Sequence, residues 1–134
     1  GIWNWSAGFE QLNAYQKAHS DIITFHQYHE VDLMEKNIHE MQALGRPVIC
    51  TEWMARTNNS IVETHLPLLK KENVGAINWG LVNGRSNTIF PWGSEEGSAE
   101  PAVWFHDLLH RDGTPYKTSE IETYKKLTAD NESF

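Results

Sequence analysis

The chain has 134 residues, of which 40% are hydrophobic and 22% are charged, and its formal net charge at pH 7 is −7. This composition is typical of one folded domain with a hydrophobic core, and it argues against a disordered chain. The acidic balance and the lack of clustered Lys and Arg side chains argue against a nucleic-acid partner.

The first predicted elements are a strand end, a helix and a strand. Ile2-Trp3 is typical of the last residues of a strand, and no turn precedes it, so we expect the chain to start in mid-fold. A helix is predicted from Gly8 to His19, because apolar side chains recur there at three-residue spacing, namely Phe9, Leu12 and Tyr15. The β-branched and aromatic stretch Asp21 to Tyr28 predicts a strand.

A second helix and a second strand follow. The helix is predicted from Val31 to Leu44, with an apolar face that consists of Leu33, Met34, Ile38, Met41 and Leu44. Gly45 is a natural residue to end this helix. The apolar run Val48 to Glu52 predicts a strand that is buried on both faces. Cys50 lies inside it, and we interpret this single cysteine as a small buried apolar residue.

The third helix is predicted to begin near Ser60 and to run to about Lys71. Ser60 and Glu63 fit a capping box, in which each side chain pairs with a free backbone amide at the helix start. Pro67 lies inside this helix and is expected to kink or loosen it, since proline removes one backbone donor. A short strand is then predicted from Val74 to Trp79.

A long polar segment follows the last predicted strand. It runs from Asn83 to Glu100, which is longer than the ~12 to 15 residues usual for structureless connections, and such loops are often functional. Its apolar stretch Ile89 to Trp92 is not expected to be fully exposed. Pro101 to Leu109 is predicted to be helical or 3₁₀, and a turn at Asp112 to Pro115 comes next.

A closing helix from Ser119 to Leu127 and a frayed tail, 128–134, complete the predicted elements. Strands and helices alternate at an interval of about 25 residues, which is typical of parallel α/β proteins. We therefore predict one α/β domain over residues 1–134, with about four parallel strands. No apolar run approaches the ~18 residues of a membrane span, so no membrane partner is expected.

The predicted strands end in side chains that suit sugar chemistry, namely His26 and Tyr28, Glu52 and Trp53, and Asn78 and Trp79. Parallel strands place their carboxyl ends at one rim, where ligands bind in α/β folds. A carboxylate there can attack an anomeric carbon, and a phenol can hold the carboxylate in place. Indoles can pack on the apolar face of a pyranose.

Each of these side chains also has a plainer explanation. An isolated Glu at a strand end is often a solvated surface acid, but the apolar strand before Glu52 and the indole after it favour a site. His26 fits a structural hydrogen bond equally well. Trp79 is favoured as a sugar platform because it ends a strand, and Trp92 fits either role. Packing explains the remaining indoles best, namely those of Trp3, Trp5 and Trp104.

The seven histidines do not predict a metal centre. His106 and His110 could share a helical face, but no third ligand lies at a suitable spacing. The chain also has no glycine-rich phosphate loop and no Gly-x-Ser-x-Gly turn. We therefore expect neither a metal nor a cofactor.

Most of the chain resembles one enzyme family. Three segments look like strands six, seven and eight of the clan A glycoside hydrolases, namely Ile23 to Tyr28, Val48 to Arg56 and Gly75 to Gly80. The likeness is closest to family five, the cellulase, mannanase and xylanase-like enzymes. The stretch from Trp104 to Tyr116 resembles the segment that leads into the last barrel helix.

This resemblance implies the C-terminal half of a TIM (β/α)₈ barrel and retaining hydrolysis of β-glycosidic bonds in a polysaccharide or oligosaccharide. It implies that Glu52 is the nucleophile, Tyr28 its hydrogen-bond partner, His26 a substrate-binding residue and Trp79 the platform under the −1 sugar. It also suggests a secreted or extracytoplasmic protein. The other candidate contacts to substrate are Trp53, Asn78, Trp92 and Trp5.

The chain departs from the family in one respect. The family's general acid/base is a Glu after an Asn at the end of strand four, and this chain resembles the family only from strand five onwards. The Asn131-Glu132 pair lies in the predicted tail. Because such a barrel needs ~250 residues, we expect half a barrel that is inactive alone. Its apolar edges predict self-association or pairing with the missing half.

Two other functions fit the same residues. The chain could be a non-catalytic carbohydrate-binding module, in which Trp79, Trp92 and Trp5 bind sugar and Glu52 only accepts hydrogen bonds. It could also be a complete α/β interaction domain unrelated to sugars. A large distance between Glu52 and the pair His26 and Tyr28 would favour this last alternative.

Overall fold

The computed structural model of the chain describes residues 1–129. Within them lie four α-helices and a three-stranded parallel sheet, so the predicted α/β class is confirmed. In chain order the elements are α1 (Glu10–His19), β1 (Ile23–His26), α2 (Val31–Gln42), β2 (Val48–Glu52), α3 (Val62–Lys71), β3 (Gly75–Ala76) and α4 (Thr118–Thr128). Of the tail predicted to be frayed, Thr128 belongs to α4, and residues 130–134 lie outside the described part.

The sheet has the order β1-β2-β3. Where about four strands are predicted, the structure has three, because the first segment contributes only one parallel bridge, from Ile2 to Phe25. β1 and β2 pair in register until an irregularity after Phe25, beyond which His26 lies opposite Glu52. The two strands therefore deliver these side chains to the same end of the sheet.

The two faces of the sheet differ in burial. Residues that point to one face, among them Ile23, Phe25 and Cys50, are buried in a core with side chains of α2 and α3. Residues on the other face of β1 and β2 are only half-buried, namely Thr24, Ile49 and Thr51. The prediction that β2 is buried on both faces is therefore wrong, whereas the predicted burial of Cys50 is confirmed.

Helix α2 follows its predicted apolar pattern in part. Met34, Ile38 and Met41 are fully buried against the sheet, while Leu33 and Leu44 are 41% and 39% exposed. The helix ends two residues earlier than predicted, at Gln42, and Gly45 follows with φ +70°. A left-handed residue after a helix is the role predicted for Gly45, and it is confirmed.

Replacing Gly45 with Ala is expected to lower the free energy of unfolding by about 1 kcal/mol, because a Cβ is unfavourable at positive φ. A Cβ at Gly45 would meet nothing within 4 Å, so the cost is conformational alone. Gly8 also has open space but no positive φ, and Gly8→Ala is the matched control. Urea denaturation followed by tryptophan fluorescence measures both variants, and equal losses would contradict the prediction.

Helix α1 does not bury its predicted apolar face. Leu12 is 47% exposed and Tyr15 is 64% exposed, and the helix contains no buried residue. The three-residue spacing identified a helix correctly, but no element of residues 1–129 covers that face.

The start of α3 differs from the predicted capping box. The N-cap residue is Ile61, and no side chain caps the helix. Ser60 Oγ instead accepts a hydrogen bond from the Met54 amide at 3.2 Å, and Glu63 Oε1 accepts one from Ser119 Oγ at 3.1 Å. Both side chains are thus used in tertiary contacts. Pro67 lies inside α3, which continues to Lys71.

The chain beyond β3 is mostly irregular. The strand predicted from Val74 to Trp79 is regular only at Gly75–Ala76, although the amide of Trp79 still bonds to the Trp53 carbonyl of the neighbouring segment at 2.9 Å. The segment 101–109 is not helical, because four of its amides bond to carbonyls outside the segment, namely those of Leu81, Thr88 and Ile89. No helix within residues 1–129 is long and apolar enough to cross a membrane.

Candidate active site

Three of the predicted site residues meet where β1 and β2 end. The Tyr28 hydroxyl donates a hydrogen bond to Glu52 Oε2 at 2.8 Å, and His26 Nδ1 lies 3.1 Å from the same oxygen. The hydroxyl and the imidazole nitrogen both lie at Oε2, and neither of these two contacts is to Oε1.

The Tyr28 hydroxyl is suited to act as a permanent donor. Burial, followed by the hydrogen bond to Glu52 and its negative charge, raises the pKa of Tyr28 well above the ordinary value. The phenol therefore keeps its proton at neutral pH and holds one oxygen of the carboxylate. Glu52 remains reachable from solvent, with its side chain 25% exposed.

Glu52 lies in a cleft of about 560 Å³. Four indoles line this cleft, namely those of Trp3, Trp5, Trp79 and Trp92. The other lining residues are His26, Gln27, Tyr28, His29, Glu52 and Asn58. Six predicted site residues are thus brought together, namely Glu52, Tyr28, His26, Trp79, Trp92 and Trp5. A carboxylate among apolar rings with a few polar side chains can bind and orient a sugar.

Contacts within the protein hold the indoles in place. Trp5 Nε1 donates to the His26 carbonyl at 3.2 Å, which ties the first segment to the end of β1. The ring of Trp92 meets the rings of Tyr28 and Phe105 edge-on, with centroids 4.9 and 4.8 Å apart. Trp79 and Trp92 nevertheless remain 43% and 59% exposed, so their free surfaces can contact a ligand.

Two predicted contacts to substrate lie outside the cleft. Trp53 is fully buried and stacks on His65, with ring centroids 6.0 Å apart, because it follows Glu52 directly and points to the helix-covered side. Asn78 accepts a hydrogen bond from the Tyr124 hydroxyl at 3.1 Å and also bonds to the Gly80 carbonyl. The structure therefore does not bring Trp53 and Asn78 together with Glu52 in the cleft.

The sequence did not single out all the residues that line the cleft. Trp3 is predicted to be a packing residue, yet it is 57% exposed and lines the cleft, whereas Trp104 is buried as predicted. The alternate spacing of Trp3 and Trp5 after a strand end was a usable signal, since alternate residues of an extended segment share a side. Asn58 comes from a 3₁₀ turn after β2, and no local pattern identifies it.

A second cavity, of about 670 Å³, adjoins the cleft. It shares Trp79 and Trp92 with the cleft, and most of its other lining comes from residues 86–98 of the long loop. His106 also lines it. The long polar loop thus forms one side of the candidate site, as its length and apolar stretch suggested.

The backbone behind Glu52 adopts a strained turn. Met54 is fully buried and has φ +77°, a conformation that costs a residue other than glycine about 1–3 kcal/mol. Its amide donates to Ser60 Oγ at 3.2 Å, and its carbonyl accepts from His106 Nδ1 at 2.6 Å. Both polar groups of the strained residue are therefore satisfied by tertiary contacts.

His65 predicts a pH dependence of stability. It is fully buried, and burial lowers its pKa below the ordinary 6.5. The unfolded chain therefore binds a proton that the folded chain does not, so the stabilisation is complete above about pH 6.5 and is lost as the pH falls below it. We expect a smaller free energy of unfolding at pH 5.5 than at pH 7.5, measured by urea denaturation.

The control for this prediction is His65→Gln, whose amide can replace the donor that faces the His29 carbonyl, 2.8 Å from His65 Nε2. Glutamine does not titrate, so the variant should show a weaker pH dependence. Burial also lowers the pKa of His106, so some dependence remains. An unchanged dependence in the variant would contradict a role for His65.

One cluster of possible metal ligands occurs among residues 1–129, away from the cleft. Oxygen and nitrogen atoms of Glu35, His39 and Glu72 lie within 4.8 Å of one another. The Lys71 ammonium already lies 3.0 Å from Glu35 and 3.1 Å from Glu72, so a cation balances these carboxylates. His106 and His110 share no helix, contrary to the face considered for them.

Comparison with known proteins does not assign the chain to a family. It matches none of the family models, and no match was found among curated proteins. The geometry of the cleft is therefore the basis for a functional interpretation.

Proposed function

We propose that the chain is the nucleophile-bearing part of a retaining β-glycoside hydrolase, with Glu52 as the attacking carboxylate. The observation that carries this proposal is the Glu52 carboxylate, held by Tyr28 and His26 in a cleft walled by four indoles. In the first step Glu52 Oε1 bonds to the anomeric carbon while the glycosidic C–O bond breaks and the leaving oxygen takes a proton. Water then hydrolyses the glycosyl ester.

The surrounding residues have separate roles in this proposal. Tyr28 holds Oε2 with a hydrogen bond and His26 lies against the same oxygen, so the carboxylate keeps one orientation and Oε1 faces the sugar. The exposed faces of Trp79 and Trp92 pack on the apolar faces of sugar rings. These five side chains thus serve one task in the proposal, although they come from four separate stretches of the chain.

A second carboxyl group is required ~5 to 5.5 Å from the nucleophile to protonate the leaving oxygen. Within residues 1–129, Glu52 is the only carboxylate that lines the cleft. We therefore propose that the acid/base is supplied from outside these residues, by a further segment or another chain. Hydrolysis of substrates with poor leaving groups would depend on this additional acid/base residue.

The half-barrel architecture is part of the same proposal. It is supported by the parallel βα order, by the half-buried face of β1 and β2, and by the exposed apolar side chains beyond β3, where Ile77 and Leu81 are 57% and 59% exposed. In a closed barrel that face becomes the interior and the two outer strands find partners. Light scattering tests this pairing, and a monodisperse monomer would count against it.

Activated fluoroglycosides test the nucleophile without the acid/base. In 2,4-dinitrophenyl 2-deoxy-2-fluoro-β-glycosides the leaving group departs as a stable phenolate, so no proton donor is needed. We expect one fluoroglycosyl unit to bind covalently, detected by intact mass and located on Glu52 by peptide mapping. Glucosyl, mannosyl and xylosyl reagents and their disaccharides together cover the sugars that the resemblance implies.

A non-catalytic carbohydrate-binding module is the second candidate, and the absence of another carboxylate from the lining of the cleft within residues 1–129 favours it. Sugar binding that survives Glu52→Ala, together with no covalent labelling by any reagent, would support this alternative. The interaction domain unrelated to sugars fits less well, since Glu52 lies within 3.1 Å of both His26 and Tyr28.

A further inference from the structure

We infer that His106 is a positioning residue for Glu52, which it serves by holding the left-handed turn at Met54. The inference deepens the proposed function and rests on it, because it explains how the chain fixes the nucleophile at the end of β2. His106 does not line the cleft that contains Glu52. It acts on Glu52 through the backbone carbonyl of Met54, two residues after Glu52.

The turn needs to be held because its conformation is unfavourable for methionine. At φ +77° the buried Met54 would relax towards an ordinary conformation if its polar groups lost their partners. Any such change rotates the peptides that connect it to Glu52. Ser60 binds the amide of Met54 from six residues away, whereas His106 binds its carbonyl from 52 residues away. The bond from His106 therefore closes the turn through the tertiary fold.

His106 is itself fixed on several sides. Its amide donates to the Thr88 carbonyl at 3.2 Å. Gly80 packs so closely that a Cβ there would lie 2.7 Å from His106 Cβ, which explains the glycine after Trp79. The imidazole lies 5.5 Å from the ring of Tyr28, measured between centroids. The same side chain thus supports the turn behind Glu52 and the ring of its hydrogen-bond partner.

The hydrogen bond to the Met54 carbonyl shows which nitrogen of the His106 ring carries the proton. A carbonyl oxygen only accepts hydrogen bonds, so Nδ1 carries the proton. Within residues 1–129, the buried Nε2 atom has no hydrogen-bond partner. The neutral imidazole is therefore used as a single N–H donor at the Nδ1 position. The amide nitrogen of asparagine is equally far from Cβ, so asparagine can replace this donor and leucine cannot.

The test compares His106→Leu with His106→Asn. Tyrosine labelled with ¹³C at Cζ reports on the hydrogen bond from Tyr28 to Glu52 by NMR, and Tyr28→Phe assigns its signal among those of the four tyrosines. We expect the Leu variant to shift the Tyr28 signal towards its position in Glu52→Ala. The Asn variant should keep the wild-type position. Labelling of Glu52 by the fluoroglycosides should slow by about 10- to 100-fold in the Leu variant only.

Ile38→Val is the control for general loosening, because it removes one buried methylene from α2, outside the cleft lining. If it shifts the Tyr28 signal as much as His106→Leu does, or if the Asn variant behaves like the Leu variant, the inference is overturned. The NMR result does not depend on sugar chemistry. A chain that no reagent labels, but whose Tyr28 signal responds to His106→Leu alone, would refute the proposed function and retain the positioning role.

Discussion

Glu52→Gln is expected to abolish covalent labelling by the activated fluoroglycosides, with a loss of about 10³-fold or more. A neutral amide oxygen is a far weaker nucleophile than a carboxylate, and no other carboxylate of residues 1–129 lines the cleft. The amide oxygen can still accept the hydrogen bond from Tyr28, so the free energy of unfolding should change little. Intact-mass spectrometry over time measures the labelling rate.

Two further variants show whether the loss of labelling is specific to Glu52. Glu10 is exposed on α1 and does not line the cleft, so Glu10→Gln should be labelled at the wild-type rate. Tyr28→Phe removes the hydrogen bond to Oε2 but keeps the carboxylate, so it should slow labelling less than Glu52→Gln does. Labelling of Glu52→Gln at the wild-type rate would place the reactive group elsewhere in the chain.

The sequence predicts those residues of the site whose positions follow from strand geometry. An apolar run that stops at one acid identifies β2 and its carboxyl end, and parallel pairing brings the end of β1 beside it. The contact between Tyr28 and Glu52 follows from these two facts, although the residues are 24 positions apart. Side-chain alternation also predicts that Trp53 points away from Glu52, and the structure places Trp53 outside the cleft.

The other features of the site and of the fold depend on tertiary contacts that no local sequence pattern specifies. His106 reaches the turn after β2 only because the long loop returns to that point. Ser60 and Glu63 match a capping box, yet each has a tertiary partner instead. The apolar face of α1 shows the same limit: amphipathic spacing indicates that a face suits burial, but it does not name the element that covers it.

A buried ion pair connects the candidate site to the C-terminal helix. The Arg56 guanidinium, four residues after Glu52, donates two hydrogen bonds to Glu120 of α4, at 2.8 and 2.6 Å. It also donates to the carbonyls of Trp104 and Asp107, at 2.9 Å each. The side chains of Arg56 and Glu120 are 2% and 0% exposed. Arg56 therefore fastens the segment that carries His106 to the end of β2.

Removal of either partner of this ion pair is expected to lower the free energy of unfolding by about 3–5 kcal/mol, since the charge that remains is buried and has lost its closest ion-pair partner. Arg56→Met and Glu120→Gln test this in urea denaturation followed by tryptophan fluorescence. Lys71→Met is the control, because the Lys71 ammonium is exposed and its ion pairs with Glu35 and Glu72 should contribute far less to stability.

The two variants should differ in their effect on the site. Arg56→Met also deprives the carbonyls of Trp104 and Asp107 of their donor, so the segment around His106 loses its attachment. Glu120→Gln leaves those two bonds in place. Under conditions in which both variants remain folded, labelling of Glu52 should therefore slow more in Arg56→Met than in Glu120→Gln. Equal rates would show that the segment is held without Arg56.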